Sequence, residues 1–244
     1  MDFTPPQYFT LLGLHVHFYS LSMGVAVACG YLFTVKRAKN LGLENIDDVL
    51  FWVILCGFVG ARAYHVLSDF QYYLENPAHM VAVWRGGLSI YGAVIGGVLT
   101  LLYKTRDWWK WADVLTPGLL LGQIIGRVGN YFNQELYGLP TNLPWGIYIS
   151  PEHRTEEYMA FTHYHPLFAY EMIANTIILC ALLVYGRQPK GSLFCLYLIL
   201  YNICRVGLEF VRVQPPFLFG FRQNLLVSLV LIACGIVLYA KRKK

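Results

Sequence analysis

The stretch GRVGNYFNQELYG, Gly126–Gly138, follows directly on an apolar run, LTPGLLLGQII. That run has the character of a membrane-spanning segment, yet Arg127, Asn130, Asn133, Gln134 and Glu135 stand at its end. Ionisable groups at membrane depth are expensive, and those that persist usually mark functional sites. The polar cluster therefore reads either as one wall of a site inside a membrane protein or as an arginine–glutamate pair that pins helices together. On a continuing helix, Arg127, Asn130, Tyr131 and Gln134 recur at three- and four-residue spacing, which predicts a shared face with Glu135 close by.

Composition supports the membrane reading. The chain has 244 residues, 57% hydrophobic and 14% charged, against about 25% charged in an ordinary soluble domain. The net charge of +5 comes from short basic clusters between apolar runs, not from one stripe, which excludes a nucleic-acid partner. The cysteines Cys29, Cys56, Cys180, Cys195, Cys204 and Cys234 all lie in apolar runs and lack metal-ligand spacing, so they read as packed, reduced thiols. The histidines show no metal spacing either. With no phosphate-binding loop, dinucleotide fingerprint or nucleophile elbow, neither a metal nor a cofactor is expected.

A helix needs about 20 apolar residues to cross a hydrocarbon core of about 30 Å. Seven candidate spans follow: 15–35, 49–67, 87–103, 113–132, 166–185, 192–211 and 223–240. The first is read as a retained helix, because MDFTPPQYFT lacks the basic region of a cleavable signal peptide. Basic residues cluster after the first span (Lys36, Arg37, Lys39), between the third and fourth (Lys104, Arg106, Lys110), between the fifth and sixth (Arg187, Lys190) and at the C-terminus (Lys241–Lys244). Seven alternating spans place all of these on one side, which the positive-inside rule makes cytoplasmic. The expected fold is an all-α integral membrane protein of seven transmembrane helices, with the N-terminus outside and the C-terminus cytoplasmic. Residues 1–244 form a single polytopic domain, with a small external cap at 133–166 between spans four and five.

Every lysine falls in the cytoplasmic clusters; the other basic residues, Arg62, Arg85, Arg127, Arg154, Arg205, Arg212 and Arg222, are arginines. Arginine offers phosphate a planar fork of donors. Snorkelling accounts for Arg85 and Arg222 but less well for Arg127 and Arg205. On the sixth span Tyr201, Arg205, Glu209 and Arg212 share a second polar face, where Arg205–Glu209 also reads as a simple i,i+4 salt bridge. Two arginine faces on separate helices predict an anion held between them, a clamp able to stabilise a phosphate leaving group. Gly92 with Gly96, and Gly118 with Gly122 and Gly126, have the spacing of close helix packing. Tyr91 lies among the first of these glycine sets, facing a cavity or simply packed.

GRVGNYFNQELYG resembles the signature of the bacterial prolipoprotein diacylglyceryl transferase family, G-R-x-G-N-F-x-N-x-E-x-x-G. Gly126, Arg127, Gly129, Asn130, Asn133, Glu135 and Gly138 match, and Tyr131 replaces the usual phenylalanine. HFYSL, GARAYHVL, GGLSIYGAVIGG, HPLFAYE and YNICRVGLEFVR are similar to successive blocks of the same family. The resemblance implies transfer of the diacylglyceryl group of phosphatidylglycerol to the lipobox cysteine of preprolipoprotein signal peptides in the bacterial inner membrane. A thioether forms and glycerol phosphate leaves. It implies Arg127, Arg205, Glu135, Tyr91 and Tyr19 as catalytic residues, and Arg127, Asn130, Asn133, Gly138 and Tyr201 as substrate-binding residues. Tyr91 stands where many members carry histidine. An ordinary phenol, with pKa near 10, is a poor base at neutral pH, so Tyr91 positions a group or the thiol is activated by other means. Asp113, matching a family aspartate, is expected to serve a helix end or an interhelical tie. The alternative function is a phospholipid or organic-anion transporter with an arginine-lined site, against which stands the absence of internal repeats.

Overall fold

In lipid every backbone N–H and C=O must find its partner within the segment, so apolar runs of this length fold as helices. A computed structural model of the chain describes residues 3–83, 86–186, 190–215, 217, 218 and 220–242; Arg85, Arg187, Lys243 and Lys244 lie outside these. Among the described residues are eight α-helices: α1 (Phe18–Asn40), α2 (Ile46–Ser68), α3 (Phe70–Glu75), α4 (Ile90–Lys104), α5 (Trp108–Phe132), α6 (Leu167–Tyr185), α7 (Ser192–Glu209) and α8 (Gln223–Arg242). Three antiparallel two-stranded ribbons complete the described secondary structure apart from short 3-10 turns: β1 (Tyr8–Leu11) with β2 (Leu14–His17), β3 (Ile147–Tyr148) with β4 (His163–Tyr164), and β5 (Phe217–Leu218) with β6 (Phe221–Arg222).

Five helices, α1, α2, α6, α7 and α8, are long and apolar enough to cross a membrane, which makes this an integral membrane protein. The other two expected spans also fold as helices. Of these, α4 has only 15 residues, and α5 has the length at 25 residues but too polar a composition to join the five. The first helix begins later than its apolar run suggests, because Leu14–His17 pairs as a strand with Tyr8–Leu11.

The chain divides into two compact units, one of residues 1–34 with 112–244 and one of residues 35–111. In the first, small residues let α1 and α5 approach closely: a methyl on Gly30 would lie 2.8 Å from the Gly118 carbonyl oxygen, and one on Gly122 would lie 3.3 Å from that of Ala26. Helices α5, α6 and α7 enclose an apolar core of Leu120, Ile178, Leu179, Leu182, Leu193 and Tyr197. The 133–166 connector is itself packed, with Tyr137, Ile149 and Tyr164 closing on Val213. Tyr137 donates to the His153 carbonyl and Tyr164 to that of Tyr158. Burial raises both phenols above their ordinary pKa, so they remain protonated donors at neutral pH.

In the second unit α2 packs on α4 through the expected small-residue pair, Gly92 lying against Gly60 and Gly96 against Cys56. Arg62, buried on α2, organises the connector that follows. Its Nε donates to the Met80 carbonyl at 2.9 Å, Nη2 to His79 at 2.5 Å, and Nη1 to Gly86 and Gly87 at 2.7 and 2.8 Å. Both glycines have positive φ, 85° and 78°, a region costly for other residues. A five-donor guanidinium satisfies four carbonyls at once; a lysine has three donors and no planar fork. Arg62→Lys is therefore expected to cost about 2–4 kcal/mol, since it leaves carbonyls unpaired. The readout is a lower thermal midpoint in detergent together with faster proteolysis between residues 76 and 87.

Candidate functional site

Fourteen residues separate Asp113 from Arg127 on α5, and fourteen separate Gly191 from Arg205 along α7. The Asp113 carboxylate accepts the backbone N–H of Gly191 at 2.6 Å and of Phe194 at 2.8 Å, capping the start of α7 from a neighbouring helix. This is the helix-end role anticipated for it. With α5 and α7 parallel and tied at that end, equal rises of about 21 Å bring Arg127 and Arg205 to one level.

There they meet a residue of α6. Glu171, 2% exposed, accepts Arg127 Nη2 on Oε1 at 2.6 Å and Arg205 Nη1 on Oε2 at 3.1 Å. Tyr201, one turn before Arg205, donates its hydroxyl to Oε1 at 3.1 Å. The two arginines thus share an anion, and that anion is a side chain. The arginine–glutamate pair that pins helices together, one of the two readings of Arg127, is thus present, with Glu171 as its carboxylate. Arg205 bonds Glu171 rather than Glu209. The Glu209 carboxylate instead lies 3.8 Å from Arg212 and 3.3 Å from the Asn224 amide.

The polar face of α5 is also modified. The helix stops at Phe132, so Gln134 lies beyond it, with φ of 51°. Its Oε1 accepts the backbone N–H of Ser150 at 2.6 Å, joining the end of α5 to the packed connector. Asn130 and Glu135 form a relay behind Arg127: Arg127 Nη1 donates to Asn130 Oδ1 at 3.3 Å, and Asn130 Nδ2 donates to Glu135 Oε1 at 2.6 Å. Glu135 therefore orients the guanidinium through an amide. Asn133 continues the last turn, its N–H donating to Gly129 at 3.0 Å. Gly129 lets α1 approach, since a methyl there would lie 2.8 Å from the Tyr19 ring. At Gly138 a methyl would lie 2.7 Å from both the Val211 carbonyl oxygen and a Leu167 methyl carbon, so this signature glycine is required by close approach. Tyr91 belongs to the second unit, where its ring centroid lies 5.9 Å from that of Tyr64. Tyr131 packs on Phe168, centroids 5.9 Å apart. His165 bonds the Tyr170 hydroxyl at 2.9 Å, a structural use.

Glu171 is the residue at the centre of the cluster that spacing along the chain does not reveal. One signal was available: it is the lone ionisable carboxylate of α6 in an otherwise apolar segment. Such a residue needs a cationic partner nearby.

Apolar helices around an arginine–carboxylate cluster define a membrane protein with a charged cluster inside its helix bundle. The sequence profile of prolipoprotein diacylglyceryl transferases matches residues 6–241, and the chain belongs to that family. Among its relatives, the phosphatidylglycerol–prolipoprotein diacylglyceryl transferase of Thermotoga maritima is 37% identical over 238 residues, covering 93% of this chain and 81% of the relative. The proteins of the same name from Finegoldia magna and Thermosynechococcus vestitus are 35% and 36% identical. The first alignment covers 97% of this chain and 95% of the relative; the second covers 90% and 86%.

Removing Glu171 leaves two guanidinium groups at one level without their counter-ion. Glu171→Ala is expected to lose about 3–5 kcal/mol of stability, the cost of breaking a buried ion pair from one side. Thermal melting followed by circular dichroism in detergent measures it; a midpoint equal to that of the unsubstituted protein would show that Glu171 does not hold the cluster together.

Proposed function

We propose that this protein transfers the diacylglyceryl group of phosphatidylglycerol to the thiol of the lipobox cysteine in preprolipoprotein signal peptides. The convergence of Arg127 and Arg205 on one buried point carries this reading. In the reaction the cysteine sulfur attacks the diacylglyceryl carbon that bears the phosphate. A C–S bond forms, the C–O bond breaks, and its electron pair goes to the phosphate oxygen. The thiol proton is balanced by protonation of the released glycerol phosphate or of solvent. A phosphodiester carries one negative charge, and the leaving phosphomonoester develops a second. Two guanidinium groups placed in advance around that oxygen stabilise the added charge without reorganisation.

Each arginine keeps donors for this task. Arg127 commits Nη1 and Nη2 to Asn130 and Glu171, while its buried Nε has no partner among the described residues. Glu171 holds the two guanidinium groups at a fixed separation, and Glu135 orients Arg127 through Asn130. Tyr19 and Tyr201 line the clamp, and Asn133 and Gly138 shape its connector side. We further place the chain in the bacterial inner membrane as one polytopic domain of seven spans, α1, α2, α4, α5, α6, α7 and α8. The N-terminus is outside, the C-terminus cytoplasmic, and 133–166 forms an external cap over a site in the outer half of the bilayer. The distribution of lysines supports this orientation.

Purified protein incubated with phosphatidylglycerol and a lipobox peptide is expected to give the diacylglyceryl adduct by mass spectrometry, and a Cys→Ser peptide is expected to give none. Arg127→Ala and Arg205→Ala should each reduce transfer by at least about 100-fold, the scale of losing one preorganised donor. Full activity in either variant removes the two-arginine clamp. Lipid flux across proteoliposomes without any adduct would instead favour a transporter.

A further inference from the structure

A cavity of about 420 Å³ lies where the end of α5, the 133–166 connector and the residues after α7 meet. Arg127, Glu135, Tyr137, His153 and Arg212 belong to its lining. The charged groups there have partners: Arg127 pairs with Glu171, Arg212 with Glu209, and Glu135 accepts the Asn130 amide at 2.6 Å. Tyr137 donates to the His153 carbonyl, and burial keeps its phenol protonated at neutral pH. An imidazole is the side chain that gains or loses a proton near neutrality. Among the described lining residues, His153 carries the single one.

Main chain and side chain both hold His153 in place. The 3-10 turn Pro151–His153 closes with the His153 N–H on the Ser150 carbonyl at 3.0 Å, and the Tyr137 hydroxyl ties down its own carbonyl. The ring Nε2 lies 2.9 Å from the side-chain amide of Gln7, in the segment that leads into β1. An amide presents its nitrogen or, after a half-turn about its last bond, its oxygen. With the oxygen presented, Gln7 holds a proton on Nε2, and Nδ1 keeps a lone pair. A hydrogen bond at one ring nitrogen thus decides which nitrogen acts as the base.

We propose that His153 is the general base that takes the proton of the acceptor cysteine on Nδ1, with Gln7 as the positioning residue that sets its tautomer. The inference rests on the transferase reading and names the proton acceptor that the thiol needs. An ordinary cysteine thiol and an ordinary imidazole differ by about two pKa units, a gap small enough for transfer during attack. The S–H bond breaks towards Nδ1 as the C–S bond forms. The C–O bond breaks, and its electron pair goes to the phosphate oxygen. The imidazolium then gives its proton to the released phosphomonoester, whose second ionisation lies at about pH 6, or to solvent.

The pH dependence of adduct formation provides the test. The charged groups around the ring are Arg127, Glu135 and Arg212 in the lining, and Glu152 and Arg154 beside it in the chain. Carboxylates and guanidinium groups hold their charge through the neutral range, so an acid limb there belongs to the imidazole. For the unsubstituted protein, kcat/KM for a lipobox peptide is expected to fall about tenfold per pH unit along that limb. His153→Gln keeps a polar side chain able to bond Gln7. It should lower kcat/KM about 100-fold above the limb, abolish the limb and leave the thermal midpoint in place. Added imidazole should restore part of the rate to His153→Ala. Gln7→Glu sets a carboxylate against Nε2–H and should move the limb up by about one pH unit; an unmoved limb removes Gln7 from its role. If His153→Gln forms adduct at the full rate, or loses rate while the limb persists, His153 is not the base and the transferase reading stands. If unsubstituted protein forms no adduct from phosphatidylglycerol, the transferase reading itself fails.

Discussion

One buried carboxylate sets the terms for the larger unit of this protein. Arg127 and Arg205 would repel each other at close range in a low-dielectric setting, and Glu171 allows both to be held there. Its position requires α6 to enter the bundle at the level where the Arg127 and Arg205 side chains meet. That level is set at the far end by Asp113, which caps α7 from α5. Two polar ties at opposite ends of a pair of parallel helices thus determine their register, while the apolar core between them tolerates many alternatives. Glycines serve the same geometry, admitting the Tyr19 ring at Gly129 and the Val211 backbone at Gly138.

Glu171 also changes how an arginine clamp is understood. A pair of guanidinium groups waiting for a phosphate would be costly to bury. With a built-in anion the pair keeps a net positive charge, and under the proposed function the ligand would add to a preorganised arrangement. Glu135 and Asn130 support it from behind, so three polar residues from two helices and a connector fix the orientation of Arg127. Preorganisation of this kind makes such a site effective when charge develops on a leaving phosphate.

The preference for arginine outside the basic clusters has a structural cause as well as the proposed phosphate role. Arg62, Arg154 and Arg222 donate to main-chain carbonyls, and Arg62 alone gathers four. Connectors between apolar helices carry carbonyls that no helix satisfies, and a planar multi-donor cation collects them efficiently. Only Arg127 and Arg205, of the arginines singled out from the sequence, converge on a shared carboxylate among the described residues. Residue type therefore narrowed the candidates, and geometry separated those that tie connectors from those that build the site.

Local patterns were enough to identify the apolar helices, the nearness of Arg127, Asn130 and Glu135, and the family, because each depends on residues close in the chain or on a contiguous motif. Helix ends were less legible: Gln134 continues the helical spacing but leaves the helix to reach Ser150, since a long-range hydrogen bond outweighed local periodicity. Glu171 lies 44 positions from Arg127 and 34 from Arg205, and α6 places it between them. No spacing rule links three residues on three helices. Their meeting is a product of packing, in which the cost of an unpaired buried charge selects the arrangement where each finds its partner.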